Sequence, residues 1–193
     1  MEETNSRFLP KVEDMLRAVG WYPGRVIEQS QLNQWYAIKW SQDNGYCAIF
    51  PAALRILKEF GGLDFKDNLR YLKPSFRFNP LDILQIPGLS RDWMIYEWAT
   101  AAHLFPLGMC STDKDINILA VATDGKILYI SPENAGILEV ANSFDAALNV
   151  LTSQQELDED PFNYDFAVDF ERTSKAIKSV MAGESRQDAQ SKQ

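Results

Sequence analysis

Two glycine-bearing words, Gly20-Trp21-Tyr22-Pro23-Gly24-Arg25 and Glu59-Phe60-Gly61-Gly62-Leu63, fix where the first third of this chain must turn. Gly20 suits the left-handed position that ends a helix, and Pro23-Gly24 suits the centre of a tight turn. The paired Gly61 and Gly62 let another helix stop abruptly and a strand start at Leu63. Further on, Thr123-Asp124-Gly125-Lys126 carries the Asp-Gly pair favoured in tight hairpins. Gly20, Pro23, Gly24, Gly61, Gly62, Asp124 and Gly125 therefore read as backbone punctuation.

Between these stops the apolar spacing alternates between helix and strand periods. Phe8, Val12, Met15, Leu16 and Val19 predict an amphipathic helix over 7–19, with Ser6 as its cap and Pro10 tolerated in the first turn. Leu32, Trp35, Tyr36, Lys39 and Trp40 predict a second helix over 30–43, ending at Gly45. Ala53, Leu54, Leu57 and Phe60 predict a third over 50–60. Residues 63–66 and 75–78 then alternate with period two, as half-buried strands do. A loop over 80–88, a buried helix over 91–103, strands at 105–109, 116–122, 127–130 and 137–140, and a helix over 143–153 capped by Ser143 follow. Helices, then strands, then a closing helix make an α+β pattern rather than strict strand-helix alternation. One domain over 1–153 is expected. The extension 154–193 contains the acidic run at 156–160, a predicted helix at 171–181 and a disordered end.

Composition bounds the partners. The 193 residues carry a formal net charge of −8, and 154–193 hold nine acidic against five basic residues. Such a balance opposes nucleic-acid binding, which rests on neutralising phosphates, and favours a basic protein partner. No apolar run approaches the roughly 20 residues of a membrane span, and the acidic, polar first residues lack the features of a secretory signal; a cytoplasmic address is expected. In reducing surroundings Cys47 and Cys110 are expected to be thiols.

No catalytic constellation is assigned. His103 is the only histidine, and nothing local marks Cys110, Ser111 or Asp113 as its partner; a place at a helix end suits it. Cys47, Cys110 and His103 lack a paired-ligand spacing such as C-x-x-C, so no metal is expected, and neither phosphate-loop nor dinucleotide spacing is present, so no cofactor is expected.

Taken in order, the GWYPGR word at 20–25, EFGGL at 59–63, Phe76-Arg77-Phe78-Asn79-Pro80, Phe105-Pro106-Leu107-Gly108, the hairpin 124–129 and Ser143-Phe144-Asp145-Ala146-Ala147-Leu148 resemble the SUKH superfamily of bacterial toxin-immunity proteins, specifically its third subgroup. Met109 stands where relatives often have an acidic residue, and the chain beyond about 154 lies outside the common module. The resemblance implies a mixed, strongly bent sheet flanked by helices, used as a protein-binding scaffold, and a cognate toxin, among them nucleases and deaminases, as partner. Regulatory scaffolding on the same fold and, more distantly, a small-ligand enzyme are the alternatives. Trp21, Trp35 and Trp93 are read as packing residues. Trp40, Asp64, Asp67, Glu97, Trp98, Asp113 and Asp115 are the candidate partner-facing residues, and monomer and homodimer both stay open.

Overall fold

The computed structural model describes residues 7–39, 46–66, 75–111, 116–133, 136–152 and 178. Among these residues the main elements are α1 Pro10–Ala18, α2 Gln29–Trp35, β1 Ala37–Lys39, β2 Tyr46–Ala48, α3 Pro51–Phe60, β3 Asp64–Lys66, β4 Ser75–Arg77, α4 Leu89–Thr100, β5 Leu104–Ser111, β6 Ile116–Ala122, β7 Ile127–Ser131, β8 Gly136–Ala141 and α5 Phe144–Thr152. β3 through β8 make a six-stranded sheet in sequence order, and β1 and β2 form a separate hairpin. The class is α+β, as expected. Among the described residues every strand pairing is antiparallel, where the resemblance implies a mixed sheet.

The centre of the sheet is covered on both sides, because successive residues of β6 from Ile118 to Ala122 are all buried. α3 packs on β5 and β6, α5 on β8 and α1 on α5. Beneath these helices lies an aromatic cluster. Phe76 and Phe78 are two residues apart and meet edge-on at 4.9 Å, Phe60 packs against Phe144 at 4.6 Å with the rings tilted by 54°, and Phe8 meets Trp21 edge-on at 5.4 Å. Such offset and edge-on pairs add about 0.5–1.5 kcal/mol each to the burial itself. Trp21, Trp35 and Trp93 are buried, consistent with their packing roles.

Most predicted elements form within a residue or two of expectation. α1 begins at Pro10, which as first helical residue loses no hydrogen bond, with Leu9 rather than Ser6 at the cap. Ser143 caps α5, its Oγ accepting from the Ala146 N–H at 3.3 Å. The hairpin between β6 and β7 closes through the Ala122 N–H to the Lys126 carbonyl, with Gly125 at φ 93°. Its loop is three residues long, ending on a left-handed glycine.

Three differences have physical causes. The helix expected over 30–43 stops at Trp35, and Ala37–Lys39 is a strand paired with Tyr46–Ala48, burying Ile38 and exposing Lys39. Trp35 is held against Gly61, whose hydrogen a methyl could not replace without meeting the indole at 2.5 Å, and that tertiary contact outweighs the helical spacing. Pro80–Gln85, expected as loop, is a 3-10 helix capped by Asn79, whose side chain accepts from the Leu81 N–H. Finally, β5 carries a bulge at Leu107. Gly108 beyond it lies so near β4 that a Cβ would overlap the Arg77 carbonyl oxygen, so the glycine of the Phe105–Gly108 word serves close strand approach. The helix expected at 171–181 lies outside the described residues except for Lys178. No helix among them is long and apolar enough to cross a membrane.

Candidate functional site

The two turn words meet. After α1, the Gly20 N–H bonds the Arg17 carbonyl and the Trp21 N–H bonds that of Leu16, a Schellman ending with Gly20 at φ 94° and Trp21 and Leu16 both buried. Tyr22 to Arg25 then forms a β-turn with Pro23 second and Gly24, at φ 79°, third. After α3, Phe60 to Leu63 makes the same kind of turn, Gly61 at φ −52° and ψ 138° and Gly62 at φ 77°. Only Gly62 of the pair needs the left-handed region.

Side chains lock the turns together. The Arg25 guanidinium donates to the Glu59 carbonyl and, at 2.8 Å, to that of Gly61. It thereby satisfies carbonyls that α3 leaves unpaired and places positive charge at the helix's negative end. Trp21 Nε1 donates to the Glu59 carboxylate at 3.0 Å. Arg7, in the segment that leads into α1, forks between Glu59 at 2.8 Å and Asp145 at 2.7 Å, tying that segment to α3 and α5. The hydrogen bonds it donates to Asp145 lead the effects that hold the Arg7 pKa above its ordinary value. Burial lowers that of Arg25.

Around this clasp runs an open groove of about 610 Å³. Phe60 and Phe144 line it, Arg25, Arg55 and Lys58 supply cations, and the Asp124-Gly125 turn stands at its side. Val26, also lining it, and Tyr22 in the neighbouring turn are largely exposed, at 66% and 56%.

The candidate residues named from sequence are distributed differently. Asp64 is exposed on β3, a terminal strand of the described sheet, opposite Arg77, whose guanidinium is engaged by Asp82 at 3.0 Å. Glu97 and Trp98 are half-buried on α4. Glu97 is put to internal use: its carboxylate accepts from the Leu104 N–H at 2.9 Å at the start of β5 and faces His103 Nδ1 at 3.5 Å. His103 follows α4 with an exposed ring. Trp40, Asp67, Asp113 and Asp115 lie outside the described residues. Among the described residues no three His, Cys, Asp or Glu side chains are grouped to hold a metal ion.

Both cysteines are buried thiols outside any disulfide. Cys47 donates to the Leu104 carbonyl at 3.1 Å, and burial, aided by the charge of Glu97, pushes its pKa up to about 12. Such a thiol stays protonated near neutrality and is a poor nucleophile. Sequence reasoning missed Arg7, Arg55 and Lys58. Arg7 has no local signal, its partners being 52 and 138 residues away; Arg55 and Lys58 sit three apart on the polar side of α3 and look like ordinary solvated charges.

Residues 8–154 match the model of a family described as SUKH-3 immunity protein. No curated protein and no solved structure matches the chain.

Proposed function

Because the chain belongs to the SUKH-3 immunity protein family, we propose that it binds a cognate bacterial toxin and neutralises it stoichiometrically, by covering the toxin's active or substrate-binding surface. The observation that carries this reading is the extent of the family match: every helix and strand set out above, from α1 to α5, falls within residues 8–154. The family supports a binding role without catalysis. The net charge of −8 supports a basic partner, one whose own substrate is a nucleic acid or nucleotide, as for a nuclease or deaminase toxin. An acidic inhibitor would approach such a surface quickly and compete with phosphate for it. Asp64 and Trp98, with Trp40, Asp67, Asp113 and Asp115, remain the proposed outer contacts, and the cytoplasm is the proposed place of action.

Co-expression with the toxin encoded beside it tests the proposal. Cells should survive, the two proteins should elute together, and toxin activity should fall to zero at a molar equivalent. A stable mixture in which the toxin keeps full activity would refute it.

A further inference from the structure

The groove beside the clasp holds positive charge that the fold uses only in part. In a chain of net charge −8, Arg25, Arg55 and Lys58 converge on one cleft. Of the carboxylates lining the cleft, Glu59 and Asp145 share Arg7 between them, and Asp124 Oδ1 accepts from the Lys126 N–H at 3.1 Å. Arg55 and Lys58 make no ion pair among the described residues and project from α3 at i and i+3, so they share a face. Arg25 spends two of its five N–H donors on backbone carbonyls. An anion entering the cleft would meet three cations without first displacing an internal partner.

The cleft is also apolar in part. Its lining includes Phe60 and Phe144, with exposed Val26, and Tyr22 belongs to the turn beside it. A volume of about 610 Å³ lies within the ~300–1,000 Å³ range of clefts that hold ligands. Arginine and tyrosine around a partly apolar recess are the residue types that dominate binding energy at protein interfaces. Phosphate on a nucleic acid would satisfy the cations alone, but the whole-chain charge opposes a polyanion's approach, whereas a single carboxylate beside an apolar side chain satisfies both halves of the cleft.

We propose that this groove, walled by α3, the first turn of α5 and the hairpin turn at Asp124-Gly125, docks a carboxylate-bearing segment of the toxin, with Arg55 and Lys58 as its charge contacts and Val26 and Tyr22 as its apolar ones. This rests on the immunity reading and deepens it. Long-range attraction to a basic toxin and local capture of one of that toxin's acidic side chains act at different distances and are compatible.

The test is the double reversal Arg55→Glu with Lys58→Glu in the full chain, titrated against the cognate toxin by calorimetry. Both side chains are exposed, so the melting temperature should stay within a few degrees of wild type. Affinity should fall by roughly thirtyfold or more, and replacing the contacting toxin carboxylate with lysine should restore part of it. Unchanged affinity in the reversal would overturn the groove as the docking site while leaving neutralisation intact. A wild-type protein with no affinity for the toxin would remove both readings. Tighter binding after reversal would mean that the cleft faces a basic toxin surface or is filled by the chain's own acidic run at 156–160, and would also overturn the assignment. So would an oligonucleotide that binds the wild type and not the reversal.

Discussion

Replacing Gly108 with alanine separates a glycine required by space from one required by conformation. Gly108 does not have a positive φ, so alanine is free to adopt its backbone geometry. In an open strand the change would stabilise by about 0.5–1 kcal/mol, because glycine loses more chain entropy on folding. Here the new methyl overlaps the Arg77 carbonyl oxygen and stands 2.9 Å from Phe76 Cζ. Neither neighbour can yield cheaply. The carbonyl belongs to β4 at its described pairing point with β5, Arg77 opposite Met109, and Phe76 is fully buried against Phe78. Overpacking of this kind costs about 1–3 kcal/mol and sometimes more, and a lost strand hydrogen bond adds about 1. Net destabilisation of about 2–3 kcal/mol follows, a fall of about 4–12 °C in melting temperature for a domain of this size. Gly136→Ala is the matched control. It lies in β8, without a positive φ and with nothing within 4 Å of its would-be Cβ, so it should be neutral or slightly stabilising. Urea unfolding followed by tryptophan fluorescence would measure both. If Gly108→Ala melts within 1 °C of wild type, or if the two variants behave alike, the close-approach argument fails.

Three other substitutions probe the clasp, a strained helix end and the buried thiol. Arg25→Met keeps the side chain's bulk but strips the α3 carbonyls of two charged donors, and should cost about 1–3 kcal/mol in urea unfolding; Arg25→Lys should recover only part, since one ammonium lacks the guanidinium's fork. Ala101 ends α4 at φ 52°, so Ala101→Gly should relieve about 1–2 kcal/mol of left-handed strain against about 0.5–1 of added chain entropy, raising the melting temperature by a few degrees. Because the Cys47 pKa of about 12 in the fold exceeds the 9.0 of a free thiol, its contribution is intact below pH 9 and is lost as pH rises toward 12. Cys110 and Tyr96, both raised by burial, share that sign. Stability measured at pH 8 and pH 10.5 should therefore fall in the wild type and fall less in Cys47→Ala; equal falls would exclude the thiol as a source.

What could be read from the sequence was what a local rule enforces. Gly20, Gly24, Gly62 and Gly125 sit at φ between 77° and 94°, where a side chain is penalised, so each announced its turn from its neighbours alone. The strands β6 and β7 were visible as short apolar runs flanking an Asp-Gly turn. The β1–β2 hairpin was not: Leu32, Trp35, Tyr36 and Trp40 fit a helical stripe, and what ends α2 is the packing of Trp35 on Gly61, 26 positions along the chain. The groove is illegible to the same degree and for the same reason. Its cations come from two separate stretches, and Arg55 and Lys58 obey every rule for an idle, solvated helix face. Recognisable words in this chain therefore report on how it holds itself together, since Trp21, Arg25 and Glu59 spend their polar groups on one another and on the C-terminal end of α3. Discrimination between one toxin and another has to be written in side chains that the fold leaves unspent, and these carry no motif. Two members of the family that share the clasp while differing at positions 26, 55 and 58 should thus fold alike and protect against different toxins, and exchanging those three positions should move protection with them.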